Sequence, residues 1–214
     1  MSFLNRVVNR VAQDKWLLQY GNKAMLQRLG ADLPGLVERF YRDLGARPDQ
    51  RWGDKHPHYA DAQKDPECLD LIDTLFPDSQ YIHLVRDGRD VAASFRDKGR
   101  GNLKYSAHVW VKHVEHAEWF SQKISPDSWM EVQYEEMVAQ PNEEFGRVFE
   151  FLGLDMNESV KNFMENQGRK AWSAPSTEQS RIGQSTWRDR FTPEEIDLVM
   201  EIQGPTLGRF GYAT

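Results

Sequence analysis

A single cysteine, Cys68, stands in a chain of 214 residues. One thiol excludes an intramolecular disulfide and a cysteine-based zinc site. No run approaches the roughly 18 consecutive apolar residues of a membrane-spanning helix, and Met1-Ser2-Phe3-Leu4-Asn5-Arg6 carries no apolar core of a secretory signal. A reducing cytoplasm is the expected compartment. Positive charge is also in deficit: 27 Lys and Arg against 33 Asp and Glu leave a net charge of −6. That weighs against a nucleic-acid-binding domain and against a highly anionic polysaccharide, although a local basic cleft can coexist with an acidic whole. There is no internal repeat, low-complexity tract or linker-like stretch. Gly-x-x-x-x-Gly-Lys-Ser/Thr is missing as well. Gly30 and Gly35 have the glycine spacing, but Leu36 and Val37 occupy the Lys and Ser/Thr positions, and Pro34 removes an amide donor. An ATP- and magnesium-dependent phosphotransferase rests on that loop, so this absence counts against one.

What is present is a soluble composition, 39% hydrophobic and 28% charged, long enough for one domain with a real core. A single domain over residues 1–214 is expected, with a helical part at 1–48 and a motif-bearing part at 49–214. From Phe3 to Leu44 apolar residues recur at three- and four-residue steps, and Gly30 and Pro34 divide the stretch into at least two helices. Gln50–Gly53 reads as a short strand. A helix is expected over Asp65–Phe76, a strand over Gln80–Val85, and a helix from near Asp90. Next come a long helix over Tyr105–Ile124, a strand over Ser128–Gln133, and a helix over Glu143–Leu152 with Gly153 at its C-cap. Asn157–Asn166 is read as helix and Gly168–Ser185 as polar loop. Thr192-Pro193-Glu194-Glu195 starts the last helix with a cap, a proline and first-turn acids. Alternating strands and helices predict an α/β layered fold with a mostly parallel sheet.

Three segments carry chemistry. Tyr81–Phe95 reads as strand, Asp-Gly turn and helix, which sets Arg86 at a strand's carboxyl end, where open α/β sheets place ligands. Ser94, about two helical turns on, can offer a hydroxyl to the same region, and a guanidinium with a hydroxyl suits a phosphate monoester. An ordinary strand–turn–helix with a surface arginine fits the spacing equally well. Arg181–Thr192 combines three arginines, Gly183 and Ser185 before a helix cap, either an anion-closing loop or a solvated basic one. Trp52-Gly53-Asp54-Lys55-His56-Pro57 presents the Lys55 ammonium to a cleft; His56 and His58 lie close enough to serve as a base, although loop histidines are more often inert.

Arg86-x-x-x-Asp90-Val91-x-x-Ser94 after an apolar strand resembles the 3′-phosphate-binding segment of sulfotransferases, which move a sulfuryl group from 3′-phosphoadenosine 5′-phosphosulfate (PAPS) to a hydroxyl or amine. The resemblance implies that Arg86 and Ser94 hold the 3′-phosphate and that Asp90 is structural. Arg181-x-Gly183 with Trp187 is similar to the family's nucleotide-closing loop, and Ser185-x-Trp187 to a serine that reaches the phosphosulfate in the tyrosylprotein branch. Trp52-Gly53-x-Lys55-x-Pro57 resembles a segment of bacterial and tyrosylprotein-type members whose lysine lies near the sulfuryl group, which gives Lys55 the catalytic role. Tyr134-Glu135-Glu136-Met137-Val138, with Pro141 and Phe151-Leu152-Gly153-Leu154, resembles an architectural stretch in which both glutamates are structural. The matches span about residues 50 to 212.

The resemblance implies a P-loop NTPase-like three-layer fold, no metal, and a small-molecule or peptide acceptor. It fails at the start. The family opens with a strand and a glycine-rich loop that grips the 5′-phosphosulfate, and this chain shows neither. In the tyrosylprotein-type enzymes the glutamate base follows that loop. The expectation is therefore a domain without its first strand, with a partner chain or homo-oligomer covering the gap. A non-catalytic remnant or subunit that binds adenosine 3′,5′-bisphosphate is the alternative to an active sulfotransferase.

Overall fold

The computed structural model describes residues 23–45, 50–56, 59–61, 63, 66–163 and 186–212, with side chains from residue 32 onward. The chain divides into two compact units, Met1–Ser79 and Gln80–Thr214.

In the first unit, α1 runs Lys23–Asp43 and α2 runs Cys68–Leu75. Helix α1 continues without a break through Gly30, Pro34 and Gly35. The breaks expected at Gly30 and Pro34 are thus not seen: one missing amide donor and one ring clash are absorbed within a 21-residue helix. The strand expected at Gln50–Gly53 does not form; residues 51–56 are irregular. Trp52 is held by rings instead. It stacks on Tyr41 at 4.4 Å between centroids and meets Phe76 edge-on at 5.6 Å, geometries that suit the ring quadrupoles.

The second unit is layered. Strand β1 (Tyr81–Val85) pairs in parallel with β2 (Trp129–Gln133), Tyr81 opposite Trp129 and Val85 opposite Gln133. Between them lie α3 (Gly88–Asp97) and α4 (Leu103–Ser121), with a short 3-10 turn at Pro126–Ser128. After β2 come α5 (Tyr134–Ala139), α6 (Pro141–Phe151), α7 (Glu158–Phe163), a 3-10 turn at Trp187–Asp189, and α8 (Pro193–Arg209).

Strand alternation splits the side chains between two faces. Val85 packs with Trp110 and Val114 of α4 and with Leu207 and Phe210 at the end of α8. On the other face Met130 and Val132 pack against Met137 of α5 and Phe145, Val148 and Phe151 of α6. Helices therefore cover both sides, giving an α/β fold with a parallel sheet. On the α6 side, Ile82 and Leu84 stay 42% and 50% exposed, and among the described residues β1 pairs along one edge only.

Several boundaries follow from caps. Helix α4 starts two residues ahead of expectation because the Asn102 side chain accepts from Tyr105 N–H. Helix α6 ends as foreseen: Gly153 takes φ +64°, and Leu154 N–H donates to the Phe149 carbonyl. Thr192 and Glu195 form a reciprocal capping box at the start of α8. The helical expectation for residues 3–22, the part of the expected Asn157–Asn166 helix beyond Phe163, and the loop Gly168–Ser185 lie outside the described residues.

Candidate functional site

In parallel strands the carboxyl ends lie at one edge, so the residues after Val85 and Gln133 emerge side by side. The register makes Arg86 the neighbour of Tyr134 and Asp87 the neighbour of Glu135. The contacts agree. The Arg86 guanidinium lies 5.0 Å from the Tyr134 ring centroid, and the Asp87 N–H donates to Glu135 Oε1 at 3.0 Å.

The turn Arg86-Asp87-Gly88 between β1 and α3 is fixed from several directions. Trp110 Nε1 of α4 donates to the Arg86 carbonyl at 3.1 Å. Gln203 of α8, fully buried, donates through Nε2 to the Gly88 carbonyl at 3.1 Å and to the Ala107 carbonyl at 3.4 Å. Glycine is required at position 88 by close approach: a Cβ there would sit 2.5 Å from Trp110 Cδ2 and 2.8 Å from Gln203 Oε1.

Charges around the turn divide into spent and available. Arg89 is buried and forks onto Asp87: Nε donates to Oδ1 at 2.9 Å and Nη2 to Oδ2 at 2.8 Å. Its guanidinium also stacks on Trp187 at 4.4 Å. Asp87 Oδ1 accepts the Arg89 backbone N–H as the α3 cap, so the positive end of this helix already faces a carboxylate. Arg86 differs. Among the described residues its buried Nε has no hydrogen-bond partner, and no carboxylate pairs with it. A buried, orphaned guanidinium donor at a strand end is a costly group to leave unmet and fits a phosphate ligand. Ser94 is half-buried on α3, about 9 Å along the axis from Gly88 at 1.5 Å per residue.

Asp90 has the structural part expected of it. Only 1% exposed, its Oδ1 accepts from the Thr186 N–H at 2.9 Å and the Thr186 hydroxyl at 3.1 Å. This ties the chain just after Ser185 to the start of α3. Farther along, Arg96 of α3 chelates both oxygens of Glu195 at 3.0 Å and donates to the Arg190 carbonyl at 2.8 Å. Arg190 in turn binds Asp97, and this hydrogen bond is the main cause holding the Asp97 carboxyl below its ordinary value. Of the arginines read as an anion-closing set, Arg190 is thus committed to a protein carboxylate, and Arg188 stacks on Trp187 at 4.2 Å. Arg181, Gly183 and Ser185 lie outside the described residues.

Lys55 belongs to the first unit and is exposed, and among the described residues no carboxylate pairs with its ammonium. Its loop is tied down by the neighbouring Asp54, which accepts from the Lys55 N–H at 2.9 Å and from the Tyr59 hydroxyl. Asp54 also acts on Tyr41: burial first, then the Asp54 charge and hydrogen bonding toward that carboxylate, push the Tyr41 phenol up to about 12. His56 has its ring 5.6 Å from that of Tyr59, and His58 lies outside the described residues. Among the described residues no group of three or more His, Cys, Asp or Glu side chains is placed to hold a metal ion, and no helix is long and apolar enough to cross a membrane.

Tyr134, Trp110, Gln203 and the Asp87–Arg89 pair were not singled out as site residues from sequence. For Tyr134 the signal was available: the strand-end rule that selects Arg86 applies equally to the end of a second parallel strand.

Comparison with known proteins bears on fold and family. Among solved structures, the sulfotransferase domain of the Synechococcus PCC 7002 olefin synthase superposes with a TM-score of 0.64 at 21% identity, over 100% of this chain and 78% of that one. The sulfotransferase domain of the curacin biosynthetic pathway gives 0.58 at 18% identity, over 95% and 79%. These likenesses establish a shared fold. A Drosophila melanogaster protein-tyrosine sulfotransferase is 24% identical over 175 residues, 75% of this chain and 34% of that protein. A putative protein-tyrosine sulfotransferase of Caenorhabditis briggsae is 25% identical over 168 residues, 71% and 60%. The chain spans about a third and three-fifths of the length of these two relatives. The sequence model of the sulfotransferase family matches residues 4–158, a range that holds Lys55, Arg86, Ser94 and Tyr134 and stops short of Arg181. With well over half of its length matched, and with its fold shared by two sulfotransferase domains, the chain belongs to the sulfotransferase family.

Proposed function

We propose that the β1–α3 turn is the 3′-phosphate half-site for PAPS, and that the chain serves transfer of a sulfuryl group from PAPS to an acceptor hydroxyl or amine. The observation that carries this is Arg86: a buried guanidinium Nε without a hydrogen-bond partner among the described residues, at a strand end and backed by the Tyr134 ring. Arg86 and Ser94 supply charged and neutral donors to the phosphate. Because Asp87 already caps α3, the side chains, and not the helix dipole, do the binding. PAPS would supply the activated sulfuryl group. Lys55 would offset charge that develops on the bridging oxygen, Arg181 and Gly183 would close over the nucleotide, and Ser185 would reach the phosphosulfate. A peptide tyrosine is the first acceptor to try, given the names of the relatives, with small-molecule alcohols and amines after it. A cytoplasmic location and a partner chain or homo-oligomer along the edge of β1 that is unpaired among the described residues belong to the same proposal.

The test is calorimetric titration with adenosine 3′,5′-bisphosphate against 5′-AMP. The bisphosphate should bind more tightly, and Arg86→Ala should weaken it by about 1.5–3 kcal/mol, the scale of a charge-assisted hydrogen bond. Equal affinity for both nucleotides, or an unchanged Kd in Arg86→Ala, would remove Arg86 from the site.

A second reading, a non-catalytic protein that binds the bisphosphate, is favoured by one observation. Gly30, Pro34 and Gly35 lie inside α1, so that stretch forms no phosphate-cradling loop. Bisphosphate binding without label transfer from PAPS to any member of a broad acceptor panel would select this reading.

A further inference from the structure

Three backbone groups of the Arg86–Gly88 turn are satisfied by side chains from other elements. Two of these, Trp110 and Gln203, come from helices that pack over it. The third, Glu135, stands at the start of α5 and uses both oxygens: Oε1 accepts from the Asp87 N–H at 3.0 Å, and Oε2 accepts from the Tyr212 hydroxyl at 2.9 Å. Tyr212 follows α8, and the chain there is held to the sheet by Gln133 Nε2, which donates to the Phe210 carbonyl at 2.7 Å. Burial first, then the Glu135 charge and hydrogen bond, push the Tyr212 phenol far above its ordinary value, so it stays a donor at any working pH.

A carboxylate placed between a phenol and one backbone amide has little rotational freedom. The amide it holds belongs to the residue after Arg86, and the ring that backs Arg86 belongs to the residue before Glu135. One end of β2 thus fixes both the backbone and the guanidinium of the phosphate-binding arginine. We infer that Glu135, locked by Tyr212, is a positioning residue that sets Arg86 for phosphate, and not only a structural acid at a strand end.

This inference rests on the reading of Arg86 as the phosphate ligand, and the experiment separates the two. Kd for adenosine 3′,5′-bisphosphate and for 5′-AMP is measured by calorimetry for the wild type, Arg86→Ala, Glu135→Ala, Glu135→Gln, Tyr212→Phe and the exposed neighbour Glu136→Ala, with the Asp87 amide resonance followed by NMR. Glu135→Ala should weaken the bisphosphate roughly tenfold, the worth of one hydrogen bond to a charged acceptor, with 5′-AMP unchanged and the Asp87 amide shifted. Glu135→Gln should recover most of that loss, because the amide oxygen still accepts from Asp87 and the amide nitrogen can donate to the Tyr212 oxygen. Tyr212→Phe should lose roughly threefold, and Glu136→Ala nothing. Equal weakening of both nucleotides would mark a general structural role and overturn the inference. So would wild-type affinity in Glu135→Ala beside a loss in Arg86→Ala, or a Gln variant as impaired as Ala. Should Glu135→Ala not fold, Tyr212→Phe decides: bisphosphate affinity equal to the wild type overturns the inference. An Arg86→Ala variant that binds like the wild type refutes the underlying reading as well.

Discussion

The two cations most directly tied to the proposed chemistry, Arg86 and Lys55, sit on turns built in opposite ways. The Arg86 turn is held by residues distant in sequence: Trp110 lies 24 positions away, Glu135 lies 48 from Asp87, and Gln203 lies 115 from Gly88. The Lys55 loop is held mostly by itself. Asp54 accepts from its immediate neighbour and from Tyr59, five residues on, with Tyr41 and Trp52 stacked behind. A turn fixed by three elements exists only once the unit has folded, and it is then rigid. A locally closed loop carries its geometry in its own sequence and leaves its lysine exposed at the surface. The first suits a ligand of fixed shape, the second a cation that must follow charge as it develops.

A methyl group added to each turn gives the largest test of this contrast. At Gly88 a Cβ meets the Trp110 ring at 2.5 Å, while at Gly53 nothing lies within 4 Å. Gly88→Ala should therefore cost about 1–3 kcal/mol through overpacking, a fall of roughly 2–12 °C in Tm, and should abolish bisphosphate preference. Gly53→Ala should stay within about 0.5 kcal/mol of wild type. Thermal unfolding followed by circular dichroism measures both. Equal Tm values for the two variants would mean that the Arg86 turn can yield and is not rigid.

Next in size is the tie from Asp90 to Thr186. Asp90→Ala leaves the Thr186 N–H and hydroxyl without their acceptor in a buried place and should cost about 1–3 kcal/mol in urea unfolding. Asp90→Asn keeps an acceptor oxygen and should recover part of that loss. If Asn and Ala lose the same amount, the carboxylate charge, and not the hydrogen bonds to Thr186, is what matters there.

The sequence was informative where a pattern is local and silent where a contact is distant. Periodicity and caps located β1, β2, α4, α6 and the start of α8, and the alternation of strand and helix announced the parallel sheet. Arg86 could be selected because a strand end is a sequence feature. Trp110 and Gln203 could not, since nothing in a helical pattern says which residue will meet a turn 24 or 115 positions away. Gln203 looked like one more polar residue on a final helix, yet it is fully buried. The expected strand at Gln50–Gly53 failed for the opposite reason: its apolar residue, Trp52, is satisfied by ring stacking without any ladder. Pro34 misled because proline's helix-breaking tendency is a local preference that the rest of a long helix overrode.

Acid should reach the two regions unequally. Asp97, near the end of α3, has its carboxyl held below the ordinary value chiefly by the Arg190 hydrogen bond, against the opposing effect of burial. A carboxylate depressed in the folded state stabilises above its unfolded value, near 3.9, and loses that contribution as pH falls through the folded one. With the side chain 45% exposed, the effect is screened and below about 1 kcal/mol. Asp97→Asn should therefore flatten the acid limb of unfolding slightly below about pH 4. An unchanged limb would mean that Arg190 is held to α3 through its carbonyl, which accepts from Arg96, without the ion pair.

The smallest signal belongs to the Lys55 loop and lies at the alkaline end. Tyr41 is pushed up to about 12, by burial first and then by the Asp54 charge and hydrogen bond. Its folded value exceeds the unfolded one, near 10, so the protonated phenol stabilises fully below that pH and its contribution drains away as pH rises toward 12. Ultraviolet difference titration at the phenolate band, run in the Tyr212→Phe background because the Tyr212 phenol is also pushed far up, should show Tyr41 as one tyrosine that ionises late. Asp54→Asn should bring it down, yet leave it above the ordinary value, because burial against Trp52 remains. If the late tyrosine vanishes entirely in that variant, the carboxylate and not the ring stack closes the loop, and the contrast sharpens: charge alone would then hold Lys55, where packing and backbone hydrogen bonds hold Arg86. If the titration does not move, Tyr41 and Asp54 are not partners, and the loop rests on the rings alone.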